Sequence, residues 1–179
     1  HGERDHESTE ALGYSQVRDA LQSKNYEVAS LSLVSEPGVP ADARAVVIAG
    51  PTIGIPPAEL QRLEAYVAQG GSLVVLLDPV LSDAEAMASD ALVPYLETAW
   101  GLQARADLVV DLRSTQPLTA VADRYASHPI TERLGNLVSY FPAARSLAST
   151  EPSPGGLTPL VLTGADSWGK TNTESIAAG

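Results

Sequence analysis

The stretch "ARAVVIAGPTIGIPPAELQRLEAYVAQGGSLVVLLDP", residues 43–79, decides the fold class. Ala45–Ala49 is apolar throughout, and residues 72–77 are almost wholly so. Such short runs read as strands buried on both faces, the usual condition inside a parallel sheet. Between them, Pro56 and Pro57 suit the first turn of a helix. Leu60, Leu63 and Val67 then fall on one helical face, and Gly70 stands where a helix ends. Strand, helix, strand is the pattern of a parallel crossover unit.

Working outward, Tyr14, Val17 and Leu21 have helical spacing over residues 14–24, and Asn25 is a plausible stop. Tyr26–Leu33, "YEVASLSL", reads as a further strand. Leu92, Tyr95, Leu96 and Ala99 mark a third helix, with Ser89 or Asp90 as its cap and Gly101 after its end. "ADLVVD", residues 106–111, reads as a fourth strand. Its terminal Asp107 and Asp111 are expected to be solvated strand ends. Past Leu112 the pattern weakens. "HPITERLG" reads as a short helical turn, "NLVSYFPAARSL" and "LTPLVLTG" each hold a strand, and "DSWGKTN" reads as a loop. The expectation is one α/β domain over residues 1–179, with a central, mainly parallel sheet and helices on both faces.

Composition narrows the function. The 179 residues are 44% apolar, and acidic residues outnumber basic ones 22 to 11, a net charge of −11. A surface so charged repels phosphates, which argues against nucleic acid as a partner. Nothing approaches the roughly 20 apolar residues of a membrane helix. With no cysteine, disulfides, thiolate metal sites and cysteine nucleophiles are excluded. The abrupt "HGERDHESTE" and "TESIAAG" ends suggest an excised piece of a longer protein.

Open α/β sheets bind ligands outside the carboxyl ends of their strands. Gly50, Pro51 and Thr52 occupy such a place and are the candidate ligand loop, although a plain tight turn with Thr52 capping locally is the favoured reading. They form no phosphate loop, because neither Gly-rich nucleotide signature is present. Asp78 and Pro79 follow the 72–77 strand. Trp100 and Trp168 read as packing residues, with a binding role for Trp168 as the alternative.

In order along the chain, "HGE" at 1–3, "GYSQVRDALQSKNYEVASLSL", the 43–79 stretch, "SHPIT", "FPAARSL" and "SWGKTN" resemble one group. It comprises the auxiliary components of uncharacterised ABC transport systems, including the gliding-motility-associated auxiliary protein. The resemblance implies a three-layer fold like that of class I glutamine amidotransferases and flavodoxin, similar also to a domain of intraflagellar transport proteins. It implies a place on the extracytoplasmic side of the membrane, beside membrane helices lying outside this sequence. The expected partners are the membrane and ATPase subunits of a transporter. It also implies a first strand before residue 1, so a sheet edge would stand open, and a neighbouring copy could fill it to give a homo-oligomer. His1 and Glu3 would then lie beside Gly50–Thr52 in the same crevice. His1, Glu3, His6 and Glu7 lack the spacing of a metal set, so neither metal nor cofactor is expected.

Amidotransferase-like enzymes carry a nucleophile on a Gly-flanked turn after the strand that ends here in Leu76-Leu77-Asp78-Pro79-Val80. This turn has no Cys, Ser or flanking Gly, and Pro79 lacks an N–H for an oxyanion hole. Asp78 therefore reads as a strand terminator. The expectation is a non-catalytic interaction or ligand-recognition domain. The rivals are a hydrolase using Asp78, Glu3 and His1, and a sugar sensor at Gly50–Thr52.

Overall fold

In a computed structural model, residues 1–79, 85–135, 137–151 and 153–172 are described. They divide into two compact units, His1–Leu77 with Asp83–Leu92, and Asp78–Ser82 with Val93–Gly179.

The first unit holds the crossover read from the 43–79 stretch. Strand β1 (Ala45–Ala49) leads into helix α2 (Pro57–Ala68) and then β2 (Ser72–Leu76), after helix α1 (Ser15–Gln22). The two strands pair in parallel from Ala45 opposite Ser72 to Ala49 opposite Leu76. Pro56 is the N-cap of α2 and makes no side-chain cap bond. Leu60 and Leu63 are buried on the inner face of the helix, and Ile48, Ala49, Ile55 and Leu33 are buried in the same unit. The helix ends because Gly70 takes φ +90°, a conformation open to glycine at little cost. Gly70 N then donates to Val67 O at 2.9 Å and Gly71 N to Tyr66 O at 3.0 Å, closing the helix C-terminus. Asn25 plays a similar part after α1, with φ +63°.

The second unit is built differently. Helix α3 (Leu92–Trp100) enters it and ends at Gly101, φ +72°. Strands β3 (Leu102–Ala104), β4 (Leu108–Asp111), β5 (Thr119–Tyr125), β6 (Ser139–Pro142), β7 (Leu147–Ser149), β8 (Val161–Thr163) and β9 (Ser167–Lys170) follow. They form antiparallel sheets β3-β7, β4-β9 and β6-β5-β8. Leu96, Leu108, Val109, Val110, Ala120 and Ala122 are buried apolar residues of this unit.

The expected three-layer sandwich with a mainly parallel sheet, amidotransferase-like or flavodoxin-like, is thus overturned. Among the described residues there are three helices, one parallel pair and several small antiparallel sheets. The physical reason lies after Gly101. Parallel strands need a crossover of a dozen or more residues, usually helical. No helix lies among the described residues from 101 to 172, so turns join the strands and pairing is antiparallel. Two local expectations change with it. Tyr26–Leu33 is not a strand; it has no ladder partner. "DSWGKTN" contains strand β9, which pairs Trp168 with Val110. β5, the middle strand of its sheet, lies in the stretch after Leu112 where the sequence pattern is weak. The residues around "HPITERLG" form turns closed by Thr131 N and Glu132 N on His128 O, both at 2.9 Å.

Candidate functional site

The carboxyl end of β1 gathers several of the expected residues. Gly50 follows the strand with φ +64°, and its N–H donates to Leu76 O at 2.9 Å. Pro51 and Thr52 continue the turn. The N–H groups of Thr52 and Ile53 both donate to the carbonyl of His1 at 3.0 Å. Arg4 N donates to Ala49 O at 2.9 Å, so residues 1–4 lie against the strand end. Gly2 fits there only as glycine. It has φ +68°, and a Cβ would stand 2.1 Å from Thr52 Oγ1.

His1 Nε2 lies 2.8 Å from a carboxylate oxygen of Glu59. Glu59 sits in the first turn of α2 and is 7% exposed. The helix N-terminus favours a carboxylate at that position. Sequence reasoning missed Glu59. The available signal was an acidic residue just inside a proline-started helix, but only the fold brings residue 1 to it. Glu3 is exposed, its carboxylate 3.1 Å from the main-chain nitrogen of His1. The 54–55 backbone is fastened separately: Gly54 N donates to Ala86 O at 2.9 Å, and Ile55 N donates to the Asp90 carboxylate at 3.0 Å.

The first unit therefore brings together His1, Glu3, Gly50, Pro51 and Thr52 with the unforeseen Glu59. Asp78 and Pro79 fall in the second unit. There the Asp78 carbonyl accepts from Arg145 Nη1 at 3.5 Å, and its side chain is exposed. Chemically, the first group offers a histidine–carboxylate pair and a threonine hydroxyl. The amides that could receive an anion are occupied, those of Thr52 and Ile53 by His1 O and that of Gly50 by Leu76 O. Among the described residues no three His, Asp or Glu side chains converge to hold a metal.

Two aspartates expected at solvated strand ends are buried instead. Asp107 is 4% exposed and accepts from Ser146 N at 2.8 Å and Ser146 Oγ at 2.6 Å. Asp111 has no exposed surface. It accepts from Val121 N at 3.0 Å, Arg113 N at 2.9 Å and Arg113 Nη2 at 3.3 Å. Burial pushes its carboxyl up, but the two amides and the guanidinium together outweigh burial and hold it below the usual carboxylate range. Arg113 also meets Asp123 at 2.8 Å and the Val121 carbonyl. Its guanidinium is raised above the ordinary value, first by the bond to Asp111. Arg145 donates to Arg105 O and Ala104 O, each at 2.8 Å. Burial lowers its guanidinium, with Asp107 opposing. Both clusters fasten strands and loops of the second unit. Trp168 is 48% exposed on β9, and Trp100 ends α3.

No helix among the described residues is long and apolar enough to cross a membrane. No curated protein matches this chain. Among solved structures, the mmIFT52 N-terminal domain is similar in fold, with a TM-score of 0.65 and 19% identity. That likeness covers 86% of this chain and 71% of the other. A family model described as ABC-type uncharacterized transport system matches residues 1–179, and the chain belongs to that family of transport-system auxiliary proteins.

Proposed function

We propose that this chain is a non-catalytic recognition domain of an ABC transporter auxiliary subunit. It contacts the membrane and ATPase subunits from the extracytoplasmic face and serves export or gliding motility. Family membership supports the association with a transport system. One observation carries the non-catalytic part: the amides at the carboxyl end of β1 are already bonded within the chain, those of Thr52 and Ile53 both to His1 O at 3.0 Å. Electrostatic stabilisation of a developing oxyanion needs such donors unspent and aimed at the reacting atom. The histidine nearest them is turned to Glu59 at 2.8 Å.

The test has two arms. The full chain is co-expressed with the membrane and ATPase subunits of its transport system, and the complex is isolated through a tag on the chain. Co-purification is the expected result. In parallel the chain is incubated with p-nitrophenyl acetate and γ-glutamyl-p-nitroanilide. Turnover that disappears in Glu59→Gln would overturn the non-catalytic reading, and failure of the subunits to co-purify would overturn the partnership.

A further inference from the structure

Two arginines bridge segments of the second unit, and their charges are met differently. Arg113 meets two carboxylates, Asp111 from Nη2 at 3.3 Å and Asp123 from Nη1 at 2.8 Å. Its bond to Asp111, then that to Asp123, raise its guanidinium above the ordinary value.

Arg145 has no such match. It is half-buried and forms no ion pair among the described residues. Its Nε donates to Arg105 O and its Nη2 to Ala104 O, each at 2.8 Å, and both acceptors are neutral carbonyls. Nη1 reaches only the Asp78 carbonyl, at 3.5 Å, beyond the ordinary range for such a bond. Burial lowers the guanidinium below the ordinary arginine value, and Asp107 opposes this only in part. The Asp107 carboxylate is itself engaged by Ser146 N at 2.8 Å and Ser146 Oγ at 2.6 Å. The positive charge of Arg145 is therefore partly desolvated and answered by no anion of its own.

A guanidinium carries five N–H groups in one plane. Two of these are spent at normal length, which leaves donors on both Nη1 and Nη2. Donors on two nitrogens of one planar fork match the two oxygens of a carboxylate. Partial burial strengthens such a pair, because water screens it less.

We infer that Arg145 is an oxyanion-binding residue, whose Nη1 and Nη2 receive a carboxylate of the ligand and release the long contact to the Asp78 carbonyl. This deepens the recognition reading above and rests on it. A carboxylate suits the place better than a phosphate, because a chain of net charge −11 repels a dianion more than a monoanion. The exposed Asp78 at the same turn adds to that repulsion.

Titration of the isotope-labelled full chain with acetate at constant ionic strength tests the inference, read by magnetic resonance. The Nε–H signal of Arg145 should shift and saturate. That of Arg113, already held by two carboxylates, should stay in place. Inorganic phosphate should bind more weakly than acetate. The main-chain amide of Ser146 gives a second readout, which survives substitution of its neighbour and also shows that the variant is folded. Followed there, the acetate dissociation constant should rise about tenfold or more in Arg145→Lys, since an ammonium offers no planar fork. No saturable shift at Arg145, an equal shift at Arg113, tighter binding of phosphate, or binding unchanged in Arg145→Lys would each overturn the inference. None of these results alters co-purification with the transporter subunits, so the two readings fail separately.

Discussion

Replacing Asp111 by alanine should unfold the second unit far more readily than its position at a strand end suggests. The carboxylate has no exposed surface and accepts from two amides and the Arg113 guanidinium. Alanine leaves the Val121 and Arg113 N–H groups without their acceptor. A buried donor left unsatisfied costs roughly 1–3 kcal/mol. Two such donors, with Arg113 losing one of its two carboxylates, put the loss at about 2–5 kcal/mol. That is a large share of the roughly 5–15 kcal/mol that holds an ordinary domain together. Asp111→Asn keeps the shape and one acceptor oxygen, so it should cost roughly half as much. Both tryptophans lie in the second unit, so their fluorescence in a urea titration reports its unfolding. The pH dependence gives an independent check. The folded carboxyl is held below its ordinary value, so in acid the unfolded chain takes up the proton first. Its contribution is therefore complete above the unfolded value of about 3.9 and is lost as pH falls through the lower folded value. Asp111→Asn should lack that component of acid sensitivity. A midpoint for Asp111→Ala within about 0.5 kcal/mol of the parent would refute the reasoning, because a change that small is the mark of a surface site.

Three further outcomes are expected. Gly2→Ala should destabilise the first unit by roughly 1–2 kcal/mol through its φ of +68° and the contact with Thr52 Oγ1; adding Thr52→Ala should recover the contact part alone, measured as a double-mutant cycle in thermal melts. Ala143 holds φ +49°, a conformation costly to any side chain, so Ala143→Gly should raise stability by about 0.5–1 kcal/mol in the same fluorescence titration. Arg145 spans the carbonyls of Arg105 and Ala104 with two different nitrogens, Nε and Nη2, so Arg145→Lys should lose nearly as much stability as Arg145→Ala, about 1–2 kcal/mol, since a single ammonium nitrogen does not reproduce that fixed planar spacing. Full rescue by lysine would show that charge alone matters there.

Part of the site could be read from residue types. Gly50–Thr52 follows an all-apolar strand, and that placement alone marks a turn at the strand's carboxyl end. The pairing of His1 with Glu59 could not be read, because 58 positions separate them and no local pattern requires the contact. The burial of Asp107 and Asp111 is hidden from the sequence for a related reason. A carboxylate at a strand end is ordinarily solvated, and only the amides of Ser146 and Val121, supplied from distant strands and turns, make burial tolerable.

From sequence alone came the crossover: two apolar runs, a proline-started amphipathic helix and a glycine stop suffice, because each acts over a few residues. The family was legible in the order of its motifs. Strand partnership was not. "LVVD" has the apolar character of a strand inside a parallel sheet, yet it pairs antiparallel with "SWGK", whose own pattern suggested a loop. "YEVASLSL" has strand character and forms none. A strand exists only where a neighbour accepts its hydrogen bonds, and that neighbour is chosen by the path of the whole chain.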